Sequence, residues 1–371
     1  MTTTQRVKNP LVGLQLYGQS VWLDYIRRSL ITSGELRRLI DEDGLRGMTS
    51  NPAIFEKAIA GSSDYADILD SLGATEHDPK TVYERIAIRD VQAAADVLAV
   101  VYQRSKRRDG YVSLEVSPLL ARDREGTIQE ARRLWQAVDR PNVMIKVPGT
   151  PEGIVALRQL IADGININVT LLFAQAAYER VAEAYLAGLE DRAARGQDLG
   201  AIASVASFFV SRIDSAVEAA AKDNAAAADL VGKVAIANAK LAYQHYRERI
   251  ASERWANLAA KGAQTQRLLW ASTSSKNPNF RDVLYVEELI GEDTVNTIPP
   301  ATFDAFRDHG TVRGSLTDDI EGARRTMQLL DRAGVSMDRI TDQLLVDGID
   351  LFADAFDRLL KATGSRISSG R

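Results

Sequence analysis

The chain has 371 residues, of which 45% are hydrophobic and 26% are charged, a balance typical of a soluble globular protein with a large core. Its formal net charge of −4 gives no general attraction to nucleic acid or to anionic membranes, so any phosphate site must be built locally. The absence of cysteine excludes disulfides, thiolate metal sites and cysteine nucleophiles, and three scattered histidines (His77, His245 and His309) give little support to a catalytic triad or a histidine-rich metal site.

The beginning of the chain contains no apolar core of the length that a signal peptide needs. No uninterrupted run of about 18 apolar residues occurs, and a membrane-spanning helix requires such a run. We therefore expect a cytoplasmic protein without a membrane segment.

Short apolar or β-branched runs alternate along the chain with longer segments of helical periodicity, a pattern that predicts βαβ units and a parallel sheet. The predicted strands cover residues 21–24, 45–49, 112–116, 143–147, 165–169, 202–207, 268–272 and 295–298. The predicted helices cover residues 79–107, 127–138, 152–161, 173–189, 280–290, 318–333 and 336–363, together with an Ala-rich stretch, 212–263, that is predicted to hold two helices with a break near Asn224.

Eight strands separated by helices favour a closed (β/α)8 TIM barrel over an open doubly wound sheet, because no Gly-rich nucleotide-binding turn follows the first strand. We expect one barrel domain over residues 1–371, with a helical insertion near 53–81 and additional C-terminal helices over 318–363. The Ser- and Gly-rich residues 364–371 are expected to form a flexible tail.

Polar residues occur at or just after the ends of most predicted strands, where a barrel of this kind builds its active site. They are Asp24, Asn51, Glu115, Lys146, Asn168, Thr170, Ser207 and Ser272.

Lys146 is the most informative of these residues, because it lies within the apolar strand of NVMIKVPGT. Burial disfavours the ammonium form of lysine and can leave a free amine that attacks a carbonyl group. The alternative is a structural lysine that extends to the strand end or pairs with a carboxylate.

Glu115 and Asp24 are carboxylates at equivalent strand ends, and carboxylates in a dry cavity suit the proton transfers of Schiff-base chemistry. The alternative role is a structural ion pair with Lys146. Asn168 and Thr170 follow another strand and can orient a substrate or a water molecule, although Thr170 also suits a helix N-cap.

Two segments combine hydroxyl groups with a cation near a predicted helix start, as phosphate sites do. ASFFVSRID contains Ser207 and Arg212, and WASTSSKNP contains Ser272 and Lys276. Taken alone, each segment fits a polar loop as well as it fits a ligand site. The pair of phenylalanines in ASFFVSRID is expected to pack in the core, although one of them can form a wall of a substrate pocket.

Seven segments in order resemble the transaldolase family: GMTSNPAIFEKAI, VSLEVSPLLA, VMIKVPGTPEGI, ININVTLLFA, SVASFFVSRID, LLWASTSSKNP and DTVNTIPPATF. They extend from Gly47 to Phe303, and the chain length resembles a longer bacterial branch of that family. The resemblance implies a TIM barrel and a transfer of a dihydroxyacetone unit between sugar phosphates of the pentose phosphate pathway, with no metal or organic cofactor. Sugar phosphates are then the expected ligands, nucleic acid and membranes are not expected as partners, and a homo-oligomer is possible.

The resemblance also implies roles for individual residues. It makes Lys146 the Schiff-base lysine and Asp24 the acid and base acting on the C4 hydroxyl. Glu115 and Thr170 would hold a catalytic water, and Asn51 and Asn168 would bind substrate hydroxyls.

For the phosphate end of the substrate, the resemblance implies binding by Ser207, Arg212 and Ser272, with Phe209 as the pocket phenylalanine. Two departures from the family pattern stand out. Gly47 and Met48 replace a common Asp-Ala pair, and Ser274 stands where the pattern has an arginine. We expect Lys276 to supply the missing positive charge.

Two other functions remain open on the sequence. One is a Schiff-base aldolase that only cleaves fructose 6-phosphate, a related group with much shorter chains that lack the glutamate at the position of Glu115. The other is a catalytically inactive barrel that serves as a binding protein.

Overall fold

Eight parallel strands form a closed barrel in the computed structural model, which describes residues 9–73 and 76–369. Each strand pairs with the next one along the chain, and the eighth pairs with the first. The strands are β1 Gln19–Asp24, β2 Gly47–Thr49, β3 Tyr111–Glu115, β4 Val143–Pro148, β5 Ile167–Leu172, β6 Ser204–Phe209, β7 Arg267–Ala271 and β8 Thr294–Ile298. The predicted TIM barrel is confirmed, and all eight predicted strands are present with ends that differ by a few residues.

Seventeen α-helices surround this barrel in the described ranges. They are α1 Pro10–Gly13, α2 Arg28–Thr32, α3 Glu35–Asp43, α4 Pro52–Ala60, α5 Ala66–Gly73, α6 Pro79–Arg104, α7 Arg124–Val138, α8 Pro151–Asp163, α9 Gln175–Ala194, α10 Ser211–Ala221, α11 Ala225–Ala228, α12 Val234–Ile250, α13 Glu253–Ala259, α14 Leu284–Glu287, α15 Pro300–His309, α16 Ile320–Arg332 and α17 Met337–Ser369. Short 3-10 turns occupy Leu14–Tyr17 and Pro118–Leu120. No helix within 9–73 or 76–369 combines the length and the apolar character needed to cross a bilayer.

Several predicted helices differ from the observed ones. The Ala-rich stretch 212–263 contains four helices instead of two, and the predicted break lies at Asn224, whose side chain caps α11. The helix predicted over 280–290 is a single turn, α14. The final helix continues to Ser369 where a flexible tail was predicted from residue 364, while residues 370–371 lie outside the described part of the chain.

The N-terminal end of the barrel is closed by a buried ion pair between Arg267 and Asp109, 2.8 Å apart. Ser20 donates a hydrogen bond to Asp109 and accepts one from Arg267, and Trp22 donates another to Asp109. These groups come from the starts of β1 and β7 and from the residues before β3. Because their charges and donors satisfy one another, this end of the barrel is a polar plug.

The opposite end of the barrel is partly covered by α17, which packs against α4, α6 and α10 and against the end of β5. Gly348 lies close against the barrel, because a Cβ atom at this position would stand 2.9 Å from a methyl group of Leu171. The C-terminal helix therefore forms one wall of the space above the strands.

Candidate active site

A cavity of about 620 Å³ opens at the C-terminal end of the barrel. Its wall contains residues from every strand except β3, from the loops that follow β1, β2, β7 and β8, and from α4, α10, α15 and α17. Of the predicted site residues, the wall contains Asp24, Asn51, Lys146, Thr170, Ser207, Phe209, Arg212, Ser272 and Lys276. The two others, Glu115 and Asn168, bond directly to Lys146 and Ser207, two residues of the wall.

Lys146 extends from the middle of β4 into this cavity, and its side chain is only 6% exposed. Its Nζ lies 3.2 Å from a carboxylate oxygen of Glu115 and 3.2 Å from the carbonyl oxygen of Ser50. The amine is thus held on two sides and directed toward the cavity. The alternative in which this lysine reaches solvent at the strand end is wrong, whereas the other alternative, an ion pair with a carboxylate, is present in the contact with Glu115.

Glu115 and Asp24 both have carboxyl groups that hold protons more tightly than usual. Burial raises the pKa of the Glu115 carboxyl; the charge of Lys146 opposes this shift and the charge of Asp24 adds to it. Burial also raises the pKa of the Asp24 carboxyl, against Lys146 and a hydrogen bond from Thr49. Both carboxyl groups therefore lie in surroundings that favour their protonated form, beside the side chain of Lys146.

A short chain of hydroxyl groups orients Asp24. The Thr49 hydroxyl donates to the Asp24 carboxylate over 2.7 Å, and the oxygen of the same hydroxyl lies 2.7 Å from the Thr297 hydroxyl. Because Thr49 has one proton to give and gives it to Asp24, Thr297 is the donor in the second bond. Neither threonine was assigned a role from the sequence.

Thr170 lies at an irregularity near the end of β5. The register with β6 shifts between Val169 and Leu172, and Leu171 has a left-handed φ of 61°. Such bulges redirect side chains beside active sites. The Thr170 hydroxyl is buried in the cavity wall and has no hydrogen-bond partner among the described residues. The alternative N-cap role is wrong, because the residue that caps α9 is Ala174.

Asn168 is fully buried and lies behind the cavity wall. Its amide group donates to the Ser113 hydroxyl over 3.0 Å, and its carbonyl oxygen accepts from the Ser207 hydroxyl over 2.7 Å. In this structure Asn168 therefore orients Ser207, which does line the cavity.

Asn51 lies in the cavity wall and is also the N-cap residue of α4. Its side-chain oxygen accepts a hydrogen bond from the Ile54 N–H over 3.1 Å, which caps the helix. The cap leaves the NH₂ group of Asn51 as the donor that can reach a ligand. One face of α4, with Ala53, Ile54 and Lys57, continues the wall from there.

Positive charges and hydroxyl groups collect at one part of the cavity. Burial lowers the pKa of the Arg212 guanidinium, and Asp347 on α17 opposes this shift. Partial burial and then the charges of Arg212 and Lys57 lower the pKa of Lys276. Lys276 also donates to the Ser274 hydroxyl over 3.0 Å. Such an arrangement stabilises a bound anion.

Ser272 contributes to the same part of the cavity from the loop after β7. Its backbone has a left-handed φ of 56°, and its hydroxyl lies 3.0 Å from that of Ser211 at the start of α10. The Phe209 ring packs 5.2 Å from the ring of Phe173, while the guanidinium of Arg212 lies 5.5 Å from the Phe209 centroid. Phe209 is thus a residue of the cavity wall whose ring also packs against the guanidinium of Arg212.

Lys57 and Phe352 are two further residues of the cavity wall to which the sequence assigned no role. Lys57 belongs to a quoted motif but resembles any helix-surface lysine, and Phe352 lies 206 positions after Lys146. No local signal links either residue to the site, because the link is made by the packing of α4 and α17. Across residues 9–73 and 76–369, no group of three or more His, Asp or Glu side chains is placed to hold a metal ion.

Comparison with known proteins identifies the family of the chain. The sequence model described as Transaldolase/Fructose-6-phosphate aldolase matches residues 21–363. The chain belongs to this family. The resemblance that its motifs predicted is therefore confirmed.

Curated transaldolase relatives cover almost the whole chain. A "Transaldolase 2" of Nostoc punctiforme is 49% identical over 97% of this chain and 98% of the relative. A "Transaldolase" of Trichodesmium erythraeum is 48% identical over the same shares, and one of Thiobacillus denitrificans is 47% identical over 94% of this chain and 97% of its own. All residues of the cavity wall, from Asp24 to Phe352, lie within the region that the family model matches, as does α17 up to residue 363.

Proposed function

We propose that this chain is a transaldolase, a transferase that moves a dihydroxyacetone unit from a ketose phosphate to an aldose phosphate. Fructose 6-phosphate and sedoheptulose 7-phosphate are the proposed donors, with erythrose 4-phosphate and glyceraldehyde 3-phosphate as acceptors, in the pentose phosphate pathway. One observation carries the proposal. The buried amine of Lys146 lies against the Glu115 carboxylate and faces a cavity whose wall also contains the cations Arg212 and Lys276.

The first step is formation of a Schiff base. The Lys146 amine attacks the C2 carbonyl of the ketose after Glu115, 3.2 Å away, has taken up a proton from it. The carbinolamine hydroxyl then leaves as water with a proton returned by Glu115. Thr170, with its free hydroxyl in the wall, is suited to hold the water molecule through which this proton moves.

The second step breaks the C3–C4 bond. Asp24 takes the proton of the C4 hydroxyl, the C4 oxygen becomes an aldehyde, and the bonding electrons move into the iminium of Lys146 to give an enamine. The raised pKa of Asp24 suits a group that must accept this proton and later return it. Addition of the enamine to a second aldehyde reverses the step, and hydrolysis restores the free amine.

The cations hold the phosphate at the far end of the substrate. Arg212 and Lys276 supply charge, and the hydroxyls of Ser272 and Ser274 supply further hydrogen bonds. Asn51 is proposed to bind substrate hydroxyls, while Asn168 acts through Ser207.

Trapping with borohydride tests the Schiff base directly. In the presence of fructose 6-phosphate, reduction should add the mass of the reduced sugar unit to the peptide that carries Lys146. Lys146→Ala should form no adduct and keep an unchanged circular dichroism spectrum, whereas Lys261→Ala, at the opposite end of the barrel, should form the adduct normally. A wild-type enzyme without any adduct would refute the proposal and favour an inactive barrel.

Acceptor dependence separates transfer from simple cleavage. Release of glyceraldehyde 3-phosphate from fructose 6-phosphate should depend strongly on added erythrose 4-phosphate. A rate that is indifferent to the acceptor would indicate an aldolase of the fructose 6-phosphate type. We further propose that the enzyme works in the cytoplasm, that residues 1–371 act as one domain, and that light scattering of the purified protein will show whether it is a homo-oligomer.

A further inference from the structure

Phe352 on α17 covers the amine that reacts. The centre of its ring lies 5.5 Å from Nζ of Lys146, and the ring lines the same cavity. Lys146 is only 6% exposed although that cavity is large, with Glu115 and the Ser50 carbonyl as its other close partners. The barrel strands alone do not supply this cover, because Phe352 belongs to the C-terminal helix.

The helix is held firmly in this position. Gly348 and Phe352 lie one turn apart and face the barrel, and Gly348 permits close contact with Leu171 at the end of β5. Further along, Phe356 packs at 5.9 Å from the ring of Tyr83, and Arg358 forms an ion pair with Glu56 on α4. The position of Phe352 is therefore set by contacts along the length of α17.

We propose that Phe352 is a positioning residue that keeps bulk water from the Lys146 enamine, so that the carbon unit is transferred to an aldehyde and not released. This role rests on the proposed transaldolase function. The role concerns the enamine on Lys146, which either adds to a second aldehyde or is released as dihydroxyacetone. We propose that the barrel residues alone do not decide between these two reactions.

The competing reaction is balanced as follows. A proton from water adds to C3 of the enamine, which converts it to the iminium of dihydroxyacetone. Water then adds to C2, the C–N bond breaks, and Lys146 recovers its amine while free dihydroxyacetone leaves. Both additions need water at the intermediate, and an apolar ring over Nζ removes space for it. The ring face also attracts the cationic iminium.

Replacing Phe352 should shift this competition. In Phe352→Ala, release of dihydroxyacetone from fructose 6-phosphate without acceptor should rise about tenfold relative to transfer to erythrose 4-phosphate. Phe352→Leu keeps most of the bulk and should keep the wild-type ratio. Leu351→Ala changes the neighbouring residue on the exposed side of α17 (53% exposed) and should leave the ratio unchanged.

Several results would overturn the role. An unchanged ratio in Phe352→Ala, beside normal wild-type adduct and transfer, contradicts the role and leaves the proposed function intact. An equal shift in Phe352→Leu or in Leu351→Ala would show that the effect is not exclusion of water by bulk. A wild-type enzyme that forms no borohydride adduct contradicts the proposed function and, with it, the role of Phe352.

Discussion

Among single residues, Lys57 is a third cation, beside Arg212 and Lys276, at the part of the cavity proposed to hold the phosphate. The family pattern has an arginine at the position of Ser274, and Lys276 alone was expected to replace its charge. The structure places Lys57 in the same wall, near enough for its charge to lower the pKa of Lys276. We therefore propose that two lysines on different elements replace the charge of one arginine, and each supplies a point charge without the paired geometry of a guanidinium.

We expect Lys57→Met to raise the KM for fructose 6-phosphate about tenfold and to change kcat little, because one of three cations near the phosphate is lost. Steady-state kinetics with the phosphorylated donor and with unphosphorylated fructose provide the measurement. The effect should be confined to the phosphorylated donor. Lys261→Met, at the other end of the barrel, is the matched control, and an equal loss with both donors would argue against a phosphate contact.

The hydroxyl chain at Asp24 gives a second residue-level prediction. The hydrogen bond from Thr49 lowers the pKa of Asp24, so Thr49→Val should raise that pKa further. In the proposed mechanism Asp24 must be ionised to take the C4 proton, so the acid limb of the pH profile of kcat/KM should move to higher pH. Thr49→Ser retains the donor and should keep the wild-type profile; an unshifted profile in the valine variant would contradict the role.

At the level of elements, the barrel was predictable because most of its strands contain a short run of apolar residues buried on both faces of the sheet, and this signal lies within the run itself. The helices α1, α2, α3 and α15 were not predicted. The first two have only four and five residues, and such short helices carry little periodicity. The residues of the candidate site divide in the same way, into those with a local sequence signal and those without one. Lys146 stood out as a charge inside a strand, whereas Lys57 and Phe352 became site residues only through the packing of helices distant in sequence.

The contact between α6 and the segment after β1 illustrates such packing. Asp90 on α6 accepts a hydrogen bond from the Tyr65 hydroxyl over 2.6 Å, and Tyr65 in turn accepts one from the Arg28 N–H over 3.0 Å. Burial raises the pKa of Asp90 to about 6, from a usual value of 3.8, despite opposing effects of Tyr65 and Arg28. The folded state thus binds this proton more tightly than the unfolded state does.

Stability should therefore fall as the pH rises from about 4 to about 6, because the unfolded chain loses the proton first and the folded chain must then bury the charge. A shift of this size corresponds to about 3 kcal/mol at most. Asp90→Asn keeps an acceptor for Tyr65 and should remove most of this slope, as urea unfolding at pH 4, 6 and 8 would show. Asp331→Asn, at an exposed position on α16, should retain the slope; a wild-type slope in Asp90→Asn would contradict the assignment.

At the scale of the whole molecule, each end of the barrel contains a buried ion pair, and the surroundings of the two pairs differ. Arg267 and Asp109 plug the N-terminal end, where further donors satisfy both groups. Lys146 and Glu115 form the pair at the C-terminal end, beside a cavity. A buried ion pair contributes little net stability unless its surroundings compensate the lost hydration. Arg267 and Asp109 have that compensation, whereas Lys146 and Glu115 have fewer hydrogen-bond partners, which suits the reactivity that we propose for them.

This difference predicts opposite effects of substitution on the free energy of unfolding. Arg267→Met leaves Asp109 buried without its partner and should lower stability by about 3–5 kcal/mol, while the folded fraction keeps its KM. Replacing both partners at the other end, with Lys146→Met and Glu115→Gln together, removes two buried charges at once. That variant should be inactive and yet more stable than the wild type by about 1–4 kcal/mol, measured by urea unfolding at pH 7. If the double variant were as destabilised as Arg267→Met, the active-site pair would be a structural support of the barrel, and the distinction between its two ends would not hold.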